Sequence, residues 1–184
     1  MKKIVLTVAL LSLGTTALFA QKYMTRTARV TFNATADGSP EKIEAINNEA
    51  ANILDGKTGD VVFQMPIKSF KFERALMQEH FNENYMESDK YPKAEFKGAF
   101  TDMSGIDLNK DGTYDSKVTG KLTIHGVTNE VTVPGAVQVK GGNVMLKAKF
   151  VVKLADYKVA VPGVVADKVA KEARITIEST LTQK

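Results

Sequence analysis

Val144-Met145-Leu146-Lys147-Ala148-Lys149-Phe150-Val151-Val152-Lys153-Leu154 is the stretch that decides the fold. Its even positions are all apolar, and Lys147, Lys149 and Lys153 sit on the odd ones. Successive side chains of a strand point to opposite faces, so a period of two predicts a strand with one buried and one wet face. The pattern recurs on both sides of this run. Ala28, Val30, Phe32 and Ala34 alternate with Arg29, Thr31 and Asn33. The same spacing links Val61, Phe63, Met65 and Ile67, then Ala94, Phe96 and Phe100, then Leu122 and Ile124, Val131 and Val133, and Ile175 and Ile177.

Turn chemistry separates the runs: Asp55-Gly56 with Gly59, Asp111-Gly112, Gly126 to Asn129, and Gly141-Gly142-Asn143. Together they predict about eight hairpin-connected strands, near 23–35, 43–54, 60–71, 93–103, 114–125, 130–140, 143–157 and 172–183. So many strands with one wet face must close or split, and closure removes the exposed edges. The expected fold is all-β, a single closed antiparallel eight-stranded barrel. A helix is predicted over Glu73 to Tyr85, where Leu76, Met77, Phe81 and Tyr85 keep three- and four-residue spacings. A short helical turn is expected near Val164 to Ala170. Ser39 to Leu54 is ambiguous: Ser39-Pro40 resembles a helix start, and Ile43, Ile46, Ala50 and Ile53 keep helical spacing.

Residues 1–20 read as a secretory signal: Lys2 and Lys3, an apolar run from Ile4 to Phe19, and small residues at Ala17 and Ala20. The run is too short for a comfortable membrane span of about 20 residues. Residues 21–184 are then one exported domain, placed in the periplasm, with secretion as the second choice. The 184 residues include no cysteine, so neither disulfides nor thiol lipidation enter the expectation. The net charge of +4 includes Lys2 and Lys3, which leaves +2 for residues 21–184. No basic run interleaved with aromatics tracks phosphates, so nucleic acid is not an expected partner.

Glu87-Ser88-Asp89-Lys90-Tyr91-Pro92-Lys93-Ala94-Glu95-Phe96-Lys97 and Gly120-Lys121-Leu122-Thr123-Ile124-His125-Gly126-Val127-Thr128 resemble the signature blocks of the YceI-like family of bacterial exported proteins. The resemblance implies an extended, lipocalin-like barrel whose elongated cavity holds a polyisoprenoid in some members. It also implies that 43–54 is a strand paired with 60–71 across the Asp55-Gly56 turn, against its local helical spacing. Phe72 to Phe81 is more apolar than the family's usual Arg-Asp-x-His-Leu version of that segment.

No residue group supplies reaction chemistry. His80 has Glu83 and Asn84 one turn on, but no His-Glu-x-x-His pattern completes a metal site. His125 reads as a hydrogen-bonding residue across a hairpin. Asp107-Leu108-Asn109-Lys110-Asp111-Gly112 imitates half a calcium loop, yet Val118 stands where the closing glutamate belongs, and a polar turn explains it. The pairs Glu41 with Glu44 and Glu49 with Asp55 read as surface groups. No nucleophile elbow, phosphate loop or dinucleotide fingerprint occurs, so no enzyme activity and no cofactor are expected.

By residue type alone, the apolar stripes are core. The resemblance shifts Phe63, Met65, Ile67, Phe96, Leu122, Ile124, Leu146 and Phe150 toward the lining of a lipid-holding tube, with Phe72, Leu76, Met77 and Phe81 as a lid over one mouth. The expected cargo is an isoprenoid or similar long-chain, quinone-like lipid, held for transport, storage or sequestration. The competing expectation is a solid barrel serving as an interaction module in the cell envelope. Lys147, Lys149 and Lys153 suit brief contact with a membrane surface, and homodimerisation stays open.

Overall fold

Val144 and Val152 are buried while Lys147, Lys149 and Lys153 are exposed, so the alternation of that run becomes the two faces of a strand. The computed structural model describes residues 21–184; the expected signal segment lies outside them. The chain runs through β1 (Lys22–Thr35), β2 (Glu44–Asp55), β3 (Asp60–Pro66), a two-residue β4 (Lys71–Phe72) and helix α1 (Ala75–His80). It continues through β5 (Lys93–Phe100), β6 (Gly112–Ile124), β7 (Val127–Lys140), β8 (Asn143–Lys153) and β9 (Val169–Gln183). Eight strands pair antiparallel in the order β1-β9-β8-β7-β6-β5-β3-β2, and β2 returns to β1, which closes the barrel. The small β4 adds to β2 through Ala45–Phe72 and Ile46–Lys71.

Several predicted boundaries shift. The third run stops at Pro66, whose ring removes the N–H needed for a ladder, and Ile67–Ser69 turns as a 3-10 segment. The fourth run ends at Phe100. The seventh ends at Lys153, where Leu154–Tyr157 turns, and the last begins at Val169. The helix expected near Val164 to Ala170 is only a 3-10 turn at Gly163–Val165. The helix expected over 73–85 is α1 followed by a π-helical turn at Phe81–Tyr85, one of the ways a helix widens for bulky side chains.

The ambiguous segment is a strand from Glu44 onward. Its helical spacing mixes the two faces of that strand, since Ala50 is fully buried and Ile53 is 39% exposed. Ala28 pairs with Ala50 but Val30 pairs with Asn47, so β2 carries one extra residue, a β-bulge. Asn47 and Ala50, three positions apart, are consequently both fully buried. The Asn47 Oδ1 accepts the Glu49 N–H at 2.8 Å and its Nδ2 donates to the Pro66 carbonyl at 2.8 Å, which satisfies the amide at the irregularity.

One end of the barrel is plugged. Tyr23, Leu54, Leu108, Val137, Val139, Val144 and Leu181 are all buried there, and Leu108 comes from the loop that imitates a calcium site. Beside this plug the β2–β3 turn is capped by Asp55, whose Oδ1 accepts the N–H groups of Lys57 at 2.9 Å and Thr58 at 3.2 Å. These bonds hold the Asp55 carboxyl below its ordinary 3.8. A depressed folded value contributes stability that is complete above the unfolded value and is lost as pH falls through the folded one. Asp55→Asn should therefore flatten the acid limb of the stability curve below about pH 4 without steepening it at neutral pH, a change that urea melts from pH 2 to 7 would register.

The β5–β6 ladder makes a sharp corner. Gly98 pairs with Gly120, and a Cβ on Gly98 would lie 2.3 Å from the Thr119 carbonyl oxygen. A Cβ on Gly120 would lie 2.4 Å from both the Gly98 Cα and the Lys97 carbonyl oxygen. Two facing glycines let the backbones approach where the barrel bends.

Candidate functional site

The barrel is hollow in two places. The inner cavity, about 140 Å³, is lined by side chains that alternate inward from successive strands: Val30, Val61, Phe63, Met65, Ala94, Phe96, Phe100, Val118, Leu122, Ile124, Leu146, Ala148, Phe150, Ile175 and Ile177 among them. The outer cavity, about 240 Å³, is enclosed by Phe32, Ala34, Ile43, Phe72, Leu76, Met77, His80, Phe81, Tyr85, Leu154, Val159 and Val165. One water needs only about 10–15 Å³, so both spaces are far larger than a one-water gap. Along β1 the lining passes from Val30 in the first cavity to Phe32 in the second, and from Val152 near the end of β8 to Leu154 in the turn that follows, so the two lie in sequence along the barrel. At the junction Phe32, Phe70 and Phe81 form an edge-on triangle, with ring centroids 6.0, 5.5 and 5.5 Å apart.

The residues expected to line a tube and its lid divide between these spaces. Phe63, Met65, Phe96, Leu122, Ile124, Leu146 and Phe150 face the inner cavity. Phe72, Leu76, Met77 and Phe81 face the outer one, Leu76 as a rim residue 56% exposed. Ile67 is the exception: β3 has ended before it, and it is buried at 1% exposure in the wall. The reading missed Ile175, Ile177 and Phe32, whose alternation was visible, and Ile43, Val159 and Val165, which loops and irregular segments bring to the outer space. It also missed Asn52, a polar residue on an inward face between Ala50 and Leu54.

Three segments frame the mouth. Glu41 pairs with Arg74 at the start of α1 and with Lys168 at 3.2 Å, joining the β1–β2 loop, the helical insertion and the loop before β9. Each pair is partly exposed, so its contribution is positional more than energetic. Glu44 accepts from Asn33 at 2.7 Å and Glu49 from Ser69 at 2.6 Å, so the suspected carboxylate pairs are separate structural contacts.

The two signature blocks meet at His125. The ring lies 2.7 Å from a Glu87 carboxylate oxygen through Nε2 and 3.2 Å from the Tyr157 carbonyl oxygen through Nδ1. Both partners only accept, so the ring serves them together when both nitrogens carry hydrogen. This corrects the expected bond across its own hairpin: His125 has a φ of 50° and turns out of the strand toward other segments. Tyr91 packs edge-on against the ring at 4.6 Å, and a Cβ on Gly126 would lie 2.4 Å from Tyr91, so the loop fits only around glycine. Burial of Tyr157 raises its phenol above the ordinary 10.0. His80 is held by Asn84 at 3.1 Å on the rim of the outer cavity. In the loop resembling a calcium site, Asp107 accepts the Asn109 N–H at 2.9 Å and Asp111 the Gly141 N–H at 3.0 Å, which makes both turn-capping groups. Among the described residues no three histidine, aspartate or glutamate side chains gather as metal ligands.

A closed antiparallel barrel with an apolar hollow, plugged at one end and overhung by a helix at the other, has the architecture of the lipocalin-like barrels. The chain belongs to the YceI-like domain family, whose pattern matches residues 13–181. Among solved structures it is similar to a polyisoprenoid binding domain from Saccharophagus degradans, with a TM-score of 0.76 at 12% identity, covering 90% of this chain and 100% of that one. It is also similar to BcnA of Burkholderia cenocepacia, with a TM-score of 0.69 at 21% identity over 84% of this chain and 96% of that one. The Campylobacter jejuni YCEI protein follows with 0.58 at 16% identity, covering 79% and 88%. At these identities the likeness is one of fold. No curated protein is detectably similar in sequence.

Proposed function

We propose that this chain is an exported carrier that holds a long apolar lipid of isoprenoid or quinone-like type inside the barrel, and that it works by binding without catalysis. The observation that carries the reading is the pair of apolar voids set along the strands of one barrel. Covering a methylene removes about 0.8 kcal/mol of exposed apolar cost, so a hollow lined by Phe, Met, Leu and Ile can retain a chain with few polar contacts. The adaptable thioethers of Met65 and Met77 suit a flexible guest. Membership of a family with a polyisoprenoid binding domain among its structural neighbours supports the same cargo. Lys2, Lys3 and the apolar run to Phe19 support export to the periplasm. The voids also weigh against the competing idea of a solid interaction module.

A dry cavity of about 150 Å³ takes one benzene ring, so a chain longer than about one isoprene unit must run through both spaces and turn the rings of Phe32 and Phe81 aside. Organic extraction of the purified protein followed by mass spectrometry tests the reading. One long-chain apolar molecule per protein is the expected result. Empty extracts, together with failure to take up added farnesol or a short-chain quinone, would remove it.

A further inference from the structure

The wall of the barrel is unzipped along one seam. The β7–β8 ladder begins at Lys140–Asn143 beside the Gly141-Gly142 turn and ends at Gly135–Ala148. Beyond that last pair β7 runs back through Pro134 to Val127 and β8 runs on from Lys149 to Lys153, and no ladder pair among the described residues joins the two stretches. Pro134 is the cause. Opposite it on β6, the Lys117 carbonyl accepts the Thr101 N–H at 2.9 Å, so the backbone of Lys117 faces away from β7 and the backbone nitrogen of Pro134 faces β8. The register makes Lys149 its partner in the next bonded rung, and a proline has no N–H to give. The inner cavity reaches this fork: its lining includes the last ladder pair, Gly135 and Ala148, and the pair beside it, Ala136 and Lys147. Farther along, Val133 and Val152 are buried on the cavity side, while Thr128, Glu130, Thr132, Lys149, Val151 and Lys153 are exposed. Two side chains stitch the open end. The Asn129 Nδ2 donates to the Asp156 carbonyl at 2.9 Å, and His125 meets the Tyr157 carbonyl at 3.2 Å, both in the turn after β8.

We propose that this seam is the barrel's expansion joint: a long-chain guest parts residues 127–134 of β7 from residues 149–153 of β8, and the ladder at the plugged end stays zipped. The inference rests on the carrier reading and says how a narrow hollow admits its cargo. A chain that occupies both cavities needs more width than the ring-filled junction leaves, and the wall yields where yielding costs least. Separating two fully paired strands breaks a row of backbone hydrogen bonds. Along the seam it breaks none, because the facing N–H and C=O groups belong to exposed residues and are already hydrated. The loss is limited to the two stitches and to contacts between apolar side chains, which a hydrocarbon guest replaces in kind. The edges do not suit a strand from another protein: Pro134 cannot donate, and Lys149 and Lys153 set charge beside the gap. Val137, Val139 and Val144 fill the zipped half, so widening is confined to the half that leads to Leu154 and the outer cavity. Val133 and Val152 stay between the guest and water.

The test is a distance. The chain has no cysteine, so nitroxide labels attach only where cysteines are placed. Thr132→Cys with Val151→Cys puts two labels on exposed positions that the register sets opposite each other across the seam. Lys147→Cys with Glu178→Cys puts them across the intact β8–β9 ladder. Calorimetry on the wild type and on each labelled protein first establishes that farnesol binds. Saturating farnesol should then lengthen the distance across the seam by about half a strand spacing, roughly 2 Å, and leave the distance across the ladder unmoved. Pro134→Thr approaches the same point from the other side by supplying the missing donor. Its rung with Lys149 should form, the amide at position 134 should become protected from exchange, and farnesol affinity should fall about tenfold, while prenol, a single isoprene unit, binds within about twofold of the wild type. Farnesol bound with the seam distance unchanged would overturn the expansion joint and leave the carrier reading standing. So would a Pro134→Thr protein with that amide protected and wild-type affinity for farnesol. Failure of farnesol to bind the wild type would overturn the carrier reading, and this inference with it.

Discussion

Ala148→Phe is expected to abolish lipid binding while leaving the barrel folded. Ala148 points into the inner cavity from β8 between Leu146 and Phe150, and its ladder partner on β7 is Gly135, which has no side chain to collide with a ring. The cavity of about 140 Å³ is close to the space one phenyl ring fills. The new ring occupies the guest's place, so affinity for farnesol should fall by about a hundredfold or more, roughly 3 kcal/mol. Filling a void with apolar atoms is neutral or stabilising where no clash follows, so Tm should hold or rise. Calorimetric titration beside a thermal melt checks both halves. A variant that melts like the wild type and still binds farnesol with unchanged affinity would show that the guest sits elsewhere.

Gly120→Val is expected to prevent folding. Its side chain would have to occupy space already held by the Gly98 backbone and the Lys97 carbonyl, and neither is the movable end of a side chain. Separating β5 from β6 breaks the closed ladder, so the loss should exceed about 4 kcal/mol, a large share of a domain's stability. Insoluble expression, or soluble protein without near-ultraviolet dichroism, is the expected readout. Gly105→Ala serves as the control: nothing lies within 4 Å of a Cβ there, and its stability should change by less than about 0.5 kcal/mol.

Where each side chain's direction followed from period two, the sequence was legible. Phe96, Leu122, Leu146 and Phe150 lie on regular ladders and face the hollow as their alternation required. Legibility failed wherever the period broke. The extra residue in β2 placed Asn47 and Ala50 on one side, an irregularity that neither a period of two nor a helical spacing registers. Ile67 continued the alternation of β3 in sequence, but Pro66 had already ended the ladder. His125 reads as a strand residue until its left-handed backbone turns the ring toward Glu87, a contact 38 residues away that no local rule encodes. The outer cavity was legible in Phe72 and its helical part, and not in Ile43, Val159 and Val165, which arrive from turns with no periodic signature. Asn52 was within reach: with Asn47 it is one of two amides on the buried face of β2, and amides in the greasy phase of a strand are themselves a signal.

The sealed end of the barrel bears on how cargo would change hands. Tyr23, Leu54, Leu108 and Leu181 are buried at that end, so the other end, under the helix, is the natural way in and out for a guest. A lipid held in the barrel would meet the outside world only beside Leu76 and the Glu41-bound loops. Any recipient, whether enzyme or membrane, would then have to take hold of the guest at that one rim, so the same loops would govern both loading and release.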